Sequence, residues 1–229
     1  MSERTRAILW DVGGTLVRPA RSLAEGVRRR LADCGVDHSR LVDEEILRSH
    51  ADFLSSEREW RSIDQERAAE RAWLAVLLRD EAIDEKSLDR AAARMPWYFY
   101  LYEPIPGIVD LLKELRERRL LMGIVSNWPP SLPEFLAHHE LAAFFSPVVF
   151  SAQDGVHKPE RRIFMRALEL LGVLPAQAIF VGDNPLLDIA PARQMGMRAI
   201  HFDPLHRHPQ CDADNADALR TRLMGMLDF

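Results

Sequence analysis

The chain has 229 residues, 47% hydrophobic and 28% charged, and carries a net charge of −5 from 30 basic and 35 acidic residues. This composition excludes predominant disorder, and at roughly 150 residues per domain the length fits one large domain or two modest ones that need no disulfide or metal staple. The acidic balance argues against sequence-independent nucleic-acid binding, and two cysteines, Cys34 and Cys211, make neither a disulfide framework nor a cysteine-rich zinc site.

Residues 7–10 (Ala-Ile-Leu-Trp) read as a short, fully buried strand that runs into a turn, Asp-Val-Gly-Gly-Thr-Leu, at 11–16. Before it, Met1 to Arg6 is polar, and four apolar residues are too few for a signal peptide. No run approaches the ~20 apolar residues that span a bilayer. A cytoplasmic protein without membrane contact is expected. Residues 20–101 are rich in Arg, Glu, Leu and Ala, and Leu23, Val27 and Leu31 fall on one helical face. Three to five helices and no strand are expected there, up to Pro96 and the aromatic cluster Trp97, Tyr98, Phe99, Tyr100 and Tyr102.

From Pro104 onward strands and helices alternate. The pattern predicts a helix from Pro106-Gly107 to about Arg119, a strand over Leu121–Val125, a helix over Pro129–His139 and a strand over Val148–Phe150. It continues with a helix over Glu160–Leu171 ended by Gly172, a strand over Ala178–Val181, a helix over Pro185–Gly196, a strand over Arg198–Phe202 and a helix over Ala216–Leu227. Such alternation implies a doubly wound parallel sheet of the α/β class, covered on both faces. The expected domains are an α/β core of residues 1–16 and 104–229 and an inserted helical domain of residues 17–103.

In doubly wound sheets the ligand crevice lies at the carboxyl ends of the strands. Four such ends carry polar residues: Asp11; Ser126 with Asn127; Lys158 in the loop before a helix; and Asp183, followed by Asn184 and Asp188. Carboxylates gathered without compensation raise one another's pKa, and a divalent cation removes the conflict. Hard oxygen ligands select Mg²⁺. Lysine and serine then hold a phosphate or another anion, and an aspartate can act as nucleophile.

These four segments, Asp11-Val-Gly-Gly-Thr-Leu, Val125-Ser126-Asn127, Lys158-Pro159 and Gly182-Asp183 with Asp188, resemble the four ordered motifs of the haloacid dehalogenase superfamily, and the helical insertion resembles its type-1 cap. The resemblance covers nearly the whole chain and implies a Rossmann-like hydrolase of the phosphatase branch. It implies Asp11 as nucleophile and metal ligand, Asp183 as metal ligand, Asp188 acting through the metal or its water, and the Gly13 carbonyl as a further ligand. It implies Ser126 on the phosphoryl oxygens, Lys158 as the neutralising cation and Thr15 as the brace of the first turn. Asn127 and Arg18 are candidate substrate contacts, although Asn127 and Asn184 also fit as helix caps. The implied cofactor is Mg²⁺ and the implied partner a small phosphorylated or otherwise anionic metabolite, with the protein a monomer or homodimer.

One position departs from the family. Its phosphatases carry a second Asp two residues after the nucleophile, as general acid and base; here that residue is Gly13. The lost contribution is about 10²–10⁴-fold, and it matters least for good leaving groups such as acyl phosphates or anhydrides. His50, Asp52, Glu57 and Glu59 of the insertion are candidates by residue type to supply the missing acid, and a solvated helix face is the simpler reading of them. His201, His206 and His208, spread over a proline-rich loop, read as solvent-facing.

Two other classes compete. The Asp-Val-Gly-Gly-Thr string also resembles the first phosphate loop of actin-like sugar kinases, but the helical residues that follow leave no place for that fold's second loop. A family member without its acid–base Asp can instead serve other chemistry (phosphonate or halide cleavage, phosphoryl transfer) or a non-catalytic regulatory role.

Overall fold

A computed structural model describes residues 4–54, 59–81, 83–93 and 96–227. Glu57 and the side chains of Asp52 and Trp97 lie outside the described residues. The chain divides into two compact units, one of Met1–Arg18, Pro104–Trp128 and Leu132–Phe229, the other of Pro19–Glu103 and Pro129–Ser131.

The strands, in chain order, are β1 (Ala7–Trp10), β2 (Val17–Pro19), β3 (Tyr102–Pro104), β4 (Leu121–Ser126), β5 (Val148–Phe150), β6 (Ala178–Gly182) and β7 (Arg198–His201). Five of them form the core sheet, in the order β5-β4-β1-β6-β7. All its pairings are parallel: β1 with β4 and β6, β4 with β5, and β6 with β7. All four residues of β1 are buried, as a central strand covered on both faces requires. The chain fills the sheet outward from β1 on one side and then on the other. The strand order therefore reverses beside β1, and the crevice that this opens lies at its carboxyl end.

The helices of the core unit are α5 (Ile108–Glu117), α6 (Leu132–His138), α7 (Ser151–Asp154), α8 (Arg161–Leu171), α9 (Ala190–Gln194) and α10 (Ala216–Met226), numbered after the four helices of the other unit. On α8, Ile163, Phe164, Ala167 and Leu168 recur at helical spacing and are buried. Phe164 meets Phe180 of β6 with ring centroids 5.2 Å apart. The helix stops at Gly172, whose φ of 64° is the left-handed conformation that ends helices.

Two helices differ from expectation. The predicted helix over Pro129–His139 begins only at Leu132, because each proline of the pair 129–130 disfavours helical backbone in the residue before it. The predicted helix over Pro185–Gly196 opens with a π turn, Pro185–Ile189, in which the Ala190 N–H bonds back to the Pro185 carbonyl.

The other unit holds α1 (Leu23–Asp33), α2 (Asp43–Leu54), α3 (Ile63–Leu77), α4 (Glu85–Ala93) and a 3₁₀ turn, Trp97–Tyr100. A capping box starts α1: the Ser22 hydroxyl accepts from the Glu25 N–H at 3.3 Å, and Glu25 accepts from the Ser22 N–H at 2.8 Å. Inside this unit, Arg30 donates to Glu70 and to the Ala91 carbonyl, and Glu66 accepts from Tyr98 and Ser131. His50 packs against Phe53 and Trp73, and burial draws its pKa down to about 4. It is a core histidine, neutral at pH 7. Glu59 is exposed. Among the described residues, no helix is long and apolar enough to cross a membrane.

Candidate active site

Asp11 directly follows β1, and its N–H still bonds the Val181 carbonyl at 2.9 Å, so the sheet fixes its backbone. The chain then turns at once. The N–H groups of Thr15 and Leu16 both return to the Val12 carbonyl, at 3.2 and 2.8 Å. Gly14 makes the turn possible: its φ is +78°, and a Cβ there would lie 2.2 Å from Asp183 Oδ2. Thr15 is fully buried in this turn, and its hydroxyl has no hydrogen-bond partner among the described residues.

Two other strand ends and a loop converge on Asp11. Ser126, the last residue of β4, donates its hydroxyl to Asp11 Oδ1 at 2.9 Å, and Lys158 Nζ donates to the same oxygen at 2.5 Å. Lys158 also reaches Asp188 Oδ1 at 2.7 Å. Asn127 holds the lysine in place. Its Oδ1 accepts from the Lys158 N–H at 2.7 Å and its Nδ2 donates to the Lys158 carbonyl at 3.1 Å, so both amide atoms serve the neighbouring backbone. Asn184 is the cap instead, accepting from the N–H groups of Leu186 and Leu187.

The electrostatics are those of a crowded acid cluster. Asp11, Asp183 and Asp188 each offer a carboxylate oxygen, all within 4.8 Å of one another, and all three are buried. Burial, reinforced by the Asp11 charge, raises the pKa of Asp183 to about 6 against the pull of Arg207 and Lys158. Burial likewise raises Asp188 to about 7, with Lys158 opposing and Asp11 adding. Burial alone would lower the Lys158 ammonium, but Asp11 and then Asp188 outweigh it, so its pKa is raised and it stays charged. The site thus holds three carboxylates against one buried cation. A hard divalent cation fits that donor set and removes the excess negative charge.

A cavity of about 220 Å³ opens here, lined by Asp11, Gly13, Ser126, Asn127, Lys158 and Asp183 among others. Trp128, Leu187 and Asp188 also line it, whereas Thr15 and Arg18 do not. Two residues at the site had no sequence signal. Arg207 pairs with Asp183 Oδ2 from a distant loop, and Trp128 lies against Gly13. The histidines depart from expectation. His206 is exposed, but His201 is buried, with Nε2 3.1 Å from the Asp183 carbonyl, and His208 is half-buried.

A Rossmann-like sheet with an acid cluster, a lysine and a serine at its switch point defines a hydrolase class. The chain belongs to the haloacid dehalogenase-like hydrolase family, which matches residues 5–196. It is 31% identical over 210 residues to a glyceraldehyde 3-phosphate phosphatase of Methanopyrus kandleri, covering 86% of this chain and 83% of that one. It is 40% identical over 103 residues to a phosphoserine phosphatase of Thermus thermophilus, covering 44% of this chain and 41% of that one. Among solved structures, a HAD phosphatase from Thermococcus onnurineus shares the fold with a TM-score of 0.66 at 22% identity, covering 98% of this chain and all of that one.

Proposed function

We propose that the protein hydrolyses a small phosphate monoester or acyl phosphate through an aspartyl-phosphate on Asp11. The observation that carries this reading is the pair of bonds on Asp11 Oδ1, from Lys158 at 2.5 Å and Ser126 at 2.9 Å. Both fall on one oxygen of a carboxylate that lines the cavity and whose backbone N–H the sheet holds. An anchored, oriented carboxylate is what covalent catalysis needs.

In this proposal Asp11 attacks phosphorus, the bond from phosphorus to the leaving-group oxygen breaks, and a phosphoryl group is left on the carboxylate. Water then attacks phosphorus, releasing inorganic phosphate and regenerating Asp11. Lys158 offsets the charge of nucleophile and phosphoryl group, and Ser126 donates to a phosphoryl oxygen. Asn127 keeps Lys158 in reach. Asp11, Asp183, Asp188 and the Gly13 carbonyl would hold Mg²⁺, which supplies charge stabilisation for the transferring phosphoryl group. The substrate is a small phosphorylated metabolite, and cytoplasmic location belongs to the same proposal.

Gly13 has no proton to give, so the leaving group departs without help from that position. Substrates with stable leaving groups should dominate. The test is steady-state hydrolysis of para-nitrophenyl phosphate and acetyl phosphate with Mg²⁺, for wild type and Asp11→Asn. Turnover of both by wild type and of neither by the variant supports the proposal. Turnover that persists in Asp11→Asn removes it.

A further inference from the structure

We infer that His201, Asp203 and His208 form a second metal site, for a borderline transition ion such as Zn²⁺, behind the carboxylate cluster. One ring nitrogen of each histidine and one Asp203 oxygen lie within 4.8 Å of one another. The site lies wholly in the core unit. It is built by the end of β7 and the loop that follows, which closes on itself: the Asp203 N–H bonds the Ala213 carbonyl at 2.9 Å, and the Asp212 N–H bonds the His201 carbonyl at 2.8 Å.

Asp203 supplies the independent observation. It is fully buried. Its Oδ2 accepts from the His208 N–H at 2.6 Å, while Oδ1 has no hydrogen-bond partner among the described residues. The nearest cation is Arg207, with Nε 3.7 Å from Oδ1, and that side chain is half exposed and also bonded to Asp183. A buried carboxylate oxygen with no hydrogen bond and only a long contact to a half-exposed cation is poorly compensated, and a bound cation removes the cost.

His201 has the second requirement of a ligand. Its Nε2 lies 3.1 Å from the Asp183 carbonyl, which only accepts, so in the neutral ring the proton sits on Nε2 and Nδ1 keeps its lone pair. Metal-ligating histidines are held in this way, one nitrogen donating to a carbonyl or carboxylate while the other binds. The rings of His201 and His208 stand with centroids 5.1 Å apart, and His208, half-buried, gives the solvent side. Two imidazoles and one carboxylate select Zn²⁺ or Co²⁺ over Mg²⁺ and leave one position open. An ion here would pin the loop 202–213 to the end of β7 and, through His201, steady the backbone of Asp183.

The test is calorimetric titration of the chelator-treated full chain with Zn²⁺ at saturating Mg²⁺, for wild type, His208→Ala and Cys211→Ser. Imidazole proton resonances of wild type are recorded alongside. The expected result is one Zn²⁺ per chain that is lost, or weakened by at least about tenfold, in His208→Ala. That ion should be retained in Cys211→Ser and should shift the His201 and His208 resonances. Equal stoichiometry and affinity in wild type and His208→Ala would overturn the inference. So would unmoved His201 and His208 resonances, or loss of the ion in Cys211→Ser alone.

Discussion

A Cβ on Gly13 would lie 3.3 Å from Cζ3 of Trp128, closer than side chains normally pack. Trp128 is itself buried, with its ring centroid 4.8 Å from that of Phe135, and its backbone N–H donates to the Ser151 hydroxyl at 3.0 Å. The indole therefore crowds the direction in which an acid at position 13 would extend. The missing acid and the tryptophan form one arrangement. Restoring the acid alone meets the ring, and Gly13→Asp should raise turnover of alkyl phosphates only modestly. Gly13→Asp with Trp128→Leu should raise it further, toward the roughly 10²–10⁴-fold that a positioned acid contributes. The measurement is kcat/KM on an alkyl phosphate relative to para-nitrophenyl phosphate; equal values for single and double variants would show that the ring is no obstacle.

Lys158 is the buried cation that Asp11 and Asp188 share. Its removal leaves two buried carboxylates facing each other. Lys158→Ala should cost about 3–5 kcal/mol of stability in metal-free protein. Mg²⁺ should restore part of that loss, and phosphatase turnover should stay absent even in the stabilised variant. Denaturant melts with and without Mg²⁺ measure the first effect, and a loss below 1 kcal/mol would contradict it.

The raised carboxyl pKa values carry a pH signature. Burial and the Asp11 charge push the Asp183 and Asp188 carboxyls up to about 6 and about 7, above the ordinary aspartate range near 3.8. Between those limits the folded state binds more protons than the unfolded state, so stability falls as pH rises. The buried histidines His50 and His139, drawn down to about 4, act in the opposite sense between pH 4 and 6.5, so the signature is read against a variant. Relative to Asp183→Asn with Asp188→Asn, metal-free wild type should lose Tm from pH 4.5 to pH 7.5. Mg²⁺ should raise Tm more at pH 7.5, where both groups are ionised, than at pH 5. A metal-free wild-type Tm that keeps pace with that variant, or climbs relative to it, over this range would rule out this assignment.

Gly182 lets the site close. A Cβ there would lie 2.6 Å from three atoms of Asp188. Gly182→Ala should displace Asp188 and cost about 1–3 kcal/mol. It should also weaken Mg²⁺ binding measured by titration calorimetry; an unchanged Mg²⁺ affinity would show that Asp188 does not depend on that close approach.

The sheet was legible because each of its strands is a short apolar run that ends at a polar residue. Asp11, Ser126, Lys158, Asp183 and Asp188 were legible as a group for the same reason: the chain meets the crevice at the end of a strand or a short loop. What the sequence concealed depends on tertiary return. Asn127 clamps a backbone 31 residues away, Arg207 reaches Asp183 from a loop, and Trp128 turns onto Gly13. His201 and His208 read as solvent-facing because the loop closure that buries Asp203 between them has no local pattern. Thr15 lies within the first motif and Arg18 just after it, yet neither lines the cavity.

The most direct measurement is a chemical quench of wild type mixed with Mg²⁺ and phosphorus-32-labelled acetyl phosphate, followed by peptide mapping. Label that is released by hydroxylamine, maps to the peptide containing Asp11 and is absent from Asp11→Asn is the expected result. Full turnover with no label on the protein, or label on a peptide without Asp11, would contradict the aspartyl-phosphate.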